Sequence, residues 1–181
     1  MKNMTVSGIW ITAVLYAAVS FLLAVSGAVP LADRVIPLGA DNYYFWQMIF
    51  SIPFVLFVWL GAGLVIRLAA GGKRGEAGIR AAVSASGPAA AVALGTALIP
   101  SAVEAVFMIL GMEQAEFAGI MSEKGIWQTV YIGTYVLAAC LALVSYYASS
   151  RKALKARPAR ALAAAILATA FTAGAFIVCI R

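Results

Sequence analysis

The chain has 181 residues, of which 64% are hydrophobic and 11% charged, and its mean hydropathy is +0.98. Soluble domains run near half apolar and a quarter charged, and a chain this short cannot hide such an excess in one core, whereas a bilayer can. An all-α integral membrane protein of several spans is expected, with the net charge of +6 read first as an orientation signal and not as a nucleic-acid footprint.

Histidine is absent, which excludes Ser–His and Cys–His hydrolysis, His-ligated zinc or haem, and histidine proton relays. Two cysteines are too few for a disulfide framework or a structural metal site. No cofactor, metal or catalytic residue is indicated.

A crossing of about 30 Å of hydrocarbon needs about 20 apolar residues. The first such run is Gly8–Val29, free of charge. Lys2 before it and the small residues Ala24-Val25-Ser26-Gly27-Ala28 imitate a secretory signal, but the run is long for one and an uncleaved helix is expected. The second run, Tyr43–Ala70, opens with Tyr43-Tyr44-Phe45-Trp46, the composition of an interfacial aromatic belt. It contains Pro53 and closes on Arg67, placed to snorkel toward headgroups.

Ala77–Leu110 is apolar over 34 residues, too long for one straight span and too short for two. Gly87-Pro88 is expected to divide it, since proline removes a donor and disfavours helix at the residue before it. Ala77–Ser86 then forms a short interfacial helix and Pro88–Leu110 the third span, with Pro100 a second irregularity. Ile126–Ala148, opened by Trp127 and Tyr131, is the fourth span, and Ala161–Ile180 the fifth. A single transmembrane domain over residues 1–181 results.

Basic residues are segregated. Lys2, Arg67, Lys73, Arg74, Arg80, Arg151, Lys152, Lys155, Arg157 and Arg160 fall on one side, against Arg34, Lys124 and Arg181 on the other. By the positive-inside rule the N-terminus is expected in the cytoplasm and the C-terminus outside. The richest inner segment supplies Arg151, Lys152, Lys155, Arg157 and Arg160. It reads as a topogenic loop, or as a contact for anionic lipids, where each basic group contributes about 1 kcal/mol.

One ionisable residue lies well inside a span. Glu104 sits roughly 9–12 Å below the outer end of the third run, where a bare charge costs about 2–3 kcal/mol. It should be protonated, paired or facing a polar cavity. With Pro100 and Ser101 in the same turn it forms the candidate intramembrane polar site. Two readings stay open, an ion, proton or substrate contact and a structural hydrogen bond to a neighbouring helix, with Gln47, Gln128, Thr129, Tyr131 and Thr134 as partners at matching depth. Small residues recur every fourth position, Ala89, Ala93, Ala97, Ser101 and Ala105 on the third span and Ala161, Ala165, Thr169 and Ala173 on the fifth. With Gly61 and Gly63 they suit close helix packing. Gly71-Gly72-Lys73-Arg74-Gly75 lacks the spacing of a phosphate loop, and Cys140 and Cys179 differ in depth by roughly 15–20 Å, too far for a bridge.

Taken together, five spans, Phe54–Arg67 followed by Ala70-Gly71-Gly72-Lys73 and Arg80–Pro88, then Trp127–Tyr147 followed by Ser150-Arg151-Lys152-Ala153-Leu154, resemble the Yip (Ypt-interacting protein) membrane family in its bacterial form. The resemblance covers nearly the whole chain. It implies a bacterial cytoplasmic-membrane protein that organises or scaffolds membrane regions without catalysis, with lipids, a second copy or another membrane protein as partners. The Asp-Leu-x-Gly-Pro signature and the long cytoplasmic N-terminal region of eukaryotic relatives are missing, so the resemblance does not extend to GTPase binding. The alternative reading is a small transporter or channel component using Glu104. An intramembrane enzyme is disfavoured by spans nearly bare of polar groups.

Overall fold

The computed structural model describes residues 2–29, 42–71, 76–123 and 125–180. Seven helices occur among them and no strand: α1 (Lys2–Val25), α2 (Tyr43–Ala70), α3 (Glu76–Ala97), α4 (Ile99–Ile109), α5 (Gln114–Ser122), α6 (Ile126–Leu154) and α7 (Pro158–Cys179). Five helical stretches are long and apolar enough to cross a membrane: Ser7–Val25, Tyr43–Ala70, Gly78–Ile109, Ile126–Leu154 and Pro158–Cys179.

The helices end where residue chemistry lets them. Gly27 adopts φ +72°, and the Gly27 and Ala28 amides donate back to the Ala24 and Leu23 carbonyls, a Schellman closure that only a residue tolerant of left-handed backbone makes cheaply. The small residues that imitate a cleavage site are thus the C-terminal cap of α1. Gly111, at φ +91°, closes α4 in the same way, its amide and that of Met112 returning to Met108 and Phe107.

Antiparallel succession around the bundle sets the packing. The helices α2, α3, α6 and α7 form a closed ring of neighbours, and α1 docks against α2 and α3. One core cluster joins Ala62, Ile66, Ala142, Tyr146, Ala161 and Ala165 at the end where α6 meets α7. A middle cluster holds Tyr16, Val55, Val58, Leu94 and Phe176, and a third, at the far end, holds Leu23, Tyr43, Tyr44, Ala105 and Phe117. The stripe on the third span packs inward, with Ala89, Ala93, Ala97 and Ala105 buried and Ser101 half-buried, but on the fifth span only Ala161 and Ala165 are buried, Thr169 being half-buried and Ala173 exposed. Small side chains bring helix axes close and gain dispersion contacts along both backbones.

Gly87-Pro88 does not break the third span. Helix α3 runs without interruption from Glu76 to Ala97, so the expected division into an interfacial Ala77–Ser86 and a span from Pro88 is corrected. The interruption falls instead at Leu98, two residues before Pro100, and is slight, because Leu98 keeps right-handed helical backbone (φ −76°, ψ −22°). Continuity through Pro88 has a tertiary cause. The preceding turn is tied to α2: the Trp59 indole Nε1–H donates to the Val83 carbonyl at 2.7 Å, and the Ser86 hydroxyl lies 3.3 Å from the Trp59 carbonyl. Flanking Ala82, Ser86, Ala89 and Ala90 are all buried. These contacts hold the turn before the proline against α2, while the carbonyl that loses its helical donor is that of Ser84, four residues before Pro88. Likewise α2 passes through Pro53 without a break.

Candidate functional site

Two polar features stand out, one at each end of the bundle. At the α1–α2 connection end, Glu104 is 4% exposed. It lies on α4 with Pro100, which is buried, and Ser101, which is half-buried. One of its polar neighbours is Tyr44, whose hydroxyl donates to Glu104 Oε1 over 3.5 Å, the long end of hydrogen-bond range. The carboxyl therefore points into the bundle, with a phenol supplied by α2. A buried carboxyl beside a hydroxyl can hold a proton or share it with water, and a cation entering there would meet an oxygen pair.

Tyr44 was expected at the membrane interface. The run Tyr43-Tyr44-Phe45-Trp46 instead splits by helical phase: Tyr43 and Tyr44 are buried, Phe45 and Trp46 exposed. The Tyr43 hydroxyl donates to the Ile180 carbonyl at 3.2 Å, tying the start of α2 to the end of α7. The missed signal was Tyr44, Gln47 and Ser51, polar residues three and four apart and all buried on one face of α2. Of the expected partners, Gln47 keeps its Oε1 buried without a hydrogen bond. The Thr129 and Thr134 hydroxyls donate to carbonyls of the preceding turn, Gly125 at 3.0 Å and Val130 at 2.8 Å.

A second polar pair lies deeper. Tyr146 of α6 and Thr172 of α7, both buried, join hydroxyls at 2.9 Å. Thr172 also borders a cleft of about 670 Å³ between α3, α6 and α7, edged by Ala93, Ala139 and Phe176. Among the described residues no three side chains gather as a metal site, and Cys140 and Cys179 are free thiols.

The opposite end carries the basic residues of the α6–α7 connection. Lys155 turns the chain with a left-handed backbone, φ 50°. Arg151 closes that turn, its Nη1 donating to the Ala156 carbonyl at 2.7 Å, so it is occupied as a helix cap. Lys152, Lys155, Arg157 and Arg160 are exposed. Arg160 leaves the group and lies against α2, its Nη1 3.2 Å from where a Cβ on Gly71 would stand. One helical turn earlier on α2, Arg67 holds its Nε buried without a hydrogen bond.

The fold class is an all-helical bundle carrying five membrane-length apolar helices. The chain matches no protein-family model, no curated protein and no solved structure.

Proposed function

We propose that this chain is an integral membrane protein that crosses the bilayer five times and organises membrane regions or partners without catalysis, as its resemblance to bacterial Yip-type proteins implies. The observation that carries the membrane reading is the outward face of the bundle. In the most apolar stretch of α6 only 17% of the residues are buried, and Val130, Val136, Leu137 and Val144 stand exposed. Comparable apolar residues cover α1, α2 and α7, among them Val14, Phe57, Leu64 and Ile166. So continuous an apolar surface drives aggregation in water and is at home in hydrocarbon. The segregation of basic residues supports a cytoplasmic N-terminus and an external C-terminus, and the resemblance supports a bacterial cytoplasmic membrane.

The test has two layers. After an alkaline carbonate wash the protein should stay with the membranes, and reporters fused after Ala70, Leu110, Ala148 and Arg181 should read inside, outside, inside, outside. Release by carbonate would end the membrane reading. An inside signal after Arg181 would end the five-crossing one. Reconstituted protein should leave ion and solute flux unchanged. A specific observation favours transport as the second reading: Glu104 is buried beside the Tyr44 hydroxyl. Proton or cation flux that appears with the natural chain and vanishes in Glu104→Gln would replace the scaffold by a transporter.

A further inference from the structure

A groove of about 370 Å³ lies beside the first half of α2, where the end of α7 meets it. It is edged by Gln47, Phe50, Pro53, Phe54, Phe57 and Cys179, with Tyr43 and Ile180 at its head. Two contacts between the helices bracket it. The Tyr43 hydroxyl donates to the Ile180 carbonyl at 3.2 Å, and the Phe57 and Phe171 rings meet with centroids 5.5 Å apart. The side of the groove is open, because Phe50, Pro53 and Phe57 are exposed. None of the described side chains edging it is charged. Its most buried polar side chain is Gln47, which is 7% exposed and keeps its Oε1 without a hydrogen bond.

An unpaired buried acceptor carries a desolvation cost that a donor would relieve. The hydroxyls nearest to Gln47 along α2 are committed elsewhere: Tyr43 donates to Ile180, Tyr44 to Glu104, and Ser51 to the backbone carbonyl of Gln47 itself at 2.6 Å. The last torsion of a glutamine side chain is soft, and an oxygen without a bond loses none by turning, so the carboxamide can present its acceptor to the groove that Gln47 edges. A charged head entering from the side would be desolvated with no counter-charge among these residues, and a wholly apolar molecule would leave the acceptor unpaired. A hydroxyl donates and accepts, so it matches either end of the carboxamide. We propose that this groove binds one membrane amphiphile with an uncharged hydroxyl head, a long-chain alcohol or acylglycerol, whose hydroxyl meets Gln47 while one chain lies along Phe50, Phe54 and Phe57. From Gln47 to Phe57 the groove follows α2 for about 15 Å. Its volume is near the lower end of the range of about 300–1,000 Å³ for small-molecule sites, which suits one chain and not two.

The inference rests on the membrane reading and deepens it by naming a lipid class and its site. Its experiment uses the full chain purified in lauryldimethylamine oxide, a detergent without a hydroxyl. Native mass spectrometry measures retention of oleyl alcohol against oleyl methyl ether, which has the same chain and no donor. The natural chain should retain the alcohol about fivefold or more over the ether, the effect of one hydrogen bond. In Gln47→Leu the two should be retained within about twofold of each other, since that change removes the carboxamide and keeps the site apolar. Phosphatidylglycerol and phosphatidylethanolamine should be retained less than the alcohol. A second measurement needs no variant. Cys179 edges the groove and Cys140 does not, so oleyl alcohol should slow alkylation of Cys179 by N-ethylmaleimide about fivefold or more and leave that of Cys140 unchanged. Equal retention of alcohol and ether by the natural chain, a preference that survives Gln47→Leu, stronger retention of a charged lipid, or alkylation of Cys179 unaffected by the alcohol would each overturn the site. Loss of the natural chain from carbonate-washed membranes would instead overturn the membrane reading itself.

Discussion

Replacing Gly63 by alanine tests the closest crossing in the bundle. A Cβ there would stand 2.7 Å from Val83 Cα, 2.8 Å from Val83 Cγ2 and 3.0 Å from Ser86 Oγ. Carbon pairs rest at about 3.5–4.0 Å, so α2 and α3 must part by about 1 Å, and the nearest obstacle is backbone, which has no rotamer to change. Overpacking of this kind costs about 1–3 kcal/mol. The separation also stretches the Trp59 indole bond to Val83, now 2.7 Å, and the Ser86 hydroxyl contact with the Trp59 carbonyl, now 3.3 Å. Each lost bond adds about 0.5–1.5 kcal/mol. Better helix propensity returns about 1 kcal/mol for Gly→Ala. The net expectation is a loss of about 3 kcal/mol. Gly61 is the internal control, because its Cβ would meet the far end of the Phe171 ring, which can turn aside. Gly61→Ala should change stability by less than about 1 kcal/mol. Equilibrium unfolding in mixtures of dodecyl sulfate and mild detergent, followed by circular dichroism and tryptophan fluorescence, measures both. A Gly63→Ala protein as stable as the natural chain, or a Gly61→Ala protein losing as much, would refute the reasoning.

Three further outcomes follow from the same contacts. Tyr146→Phe leaves the buried Thr172 hydroxyl without its 2.9 Å partner and should cost about 1–2 kcal/mol. In a double-mutant cycle with Thr172→Val the coupling should reach about 0.5 kcal/mol or more, and additive losses would count against the bond. Because α3 runs through Pro88, whose side chain is exposed, Pro88→Ala should raise stability by about 1–3 kcal/mol as the helix regains a donor. A destabilised Pro88→Ala protein would mean that the proline shapes the span after all. Glu104→Gln keeps an oxygen to accept from Tyr44 and should change unfolding stability by less than about 1 kcal/mol, with vesicle permeability unaltered; collapse of the fold would show that the ionisable group itself is structural.

Much of the architecture is written in the chain because a span is a local property. About 20 consecutive apolar residues identify each helix long enough to cross a membrane without reference to any other segment, and the four-residue spacing of Ala89, Ala93, Ala97 and Ala105 marks a packing face by helix geometry alone. The depth and cost of Glu104 follow from its position in its own run. What was not legible depends on neighbours. Pro88 carries the local signature of a break, and that α3 runs through it, beside a turn that the Trp59 indole holds at the Val83 carbonyl, is visible only in the packed bundle.

Which residue answers Glu104 is likewise a question of how α2 is rotated. Composition assigns Tyr43-Tyr44-Phe45-Trp46 to a belt as one group, but a helix turns successive residues by about 100°, so two face the core and two face outward. Sequence alone therefore determined the number of apolar helices, the segregation of basic charge and the existence of a carboxyl inside an apolar run. The tertiary structure decided that Tyr44 faces this carboxyl, that Gly63 meets Val83, and that Arg160 reaches the cap of α2 at Gly71. Such pairings join residues far apart in the chain, and only packing brings them together.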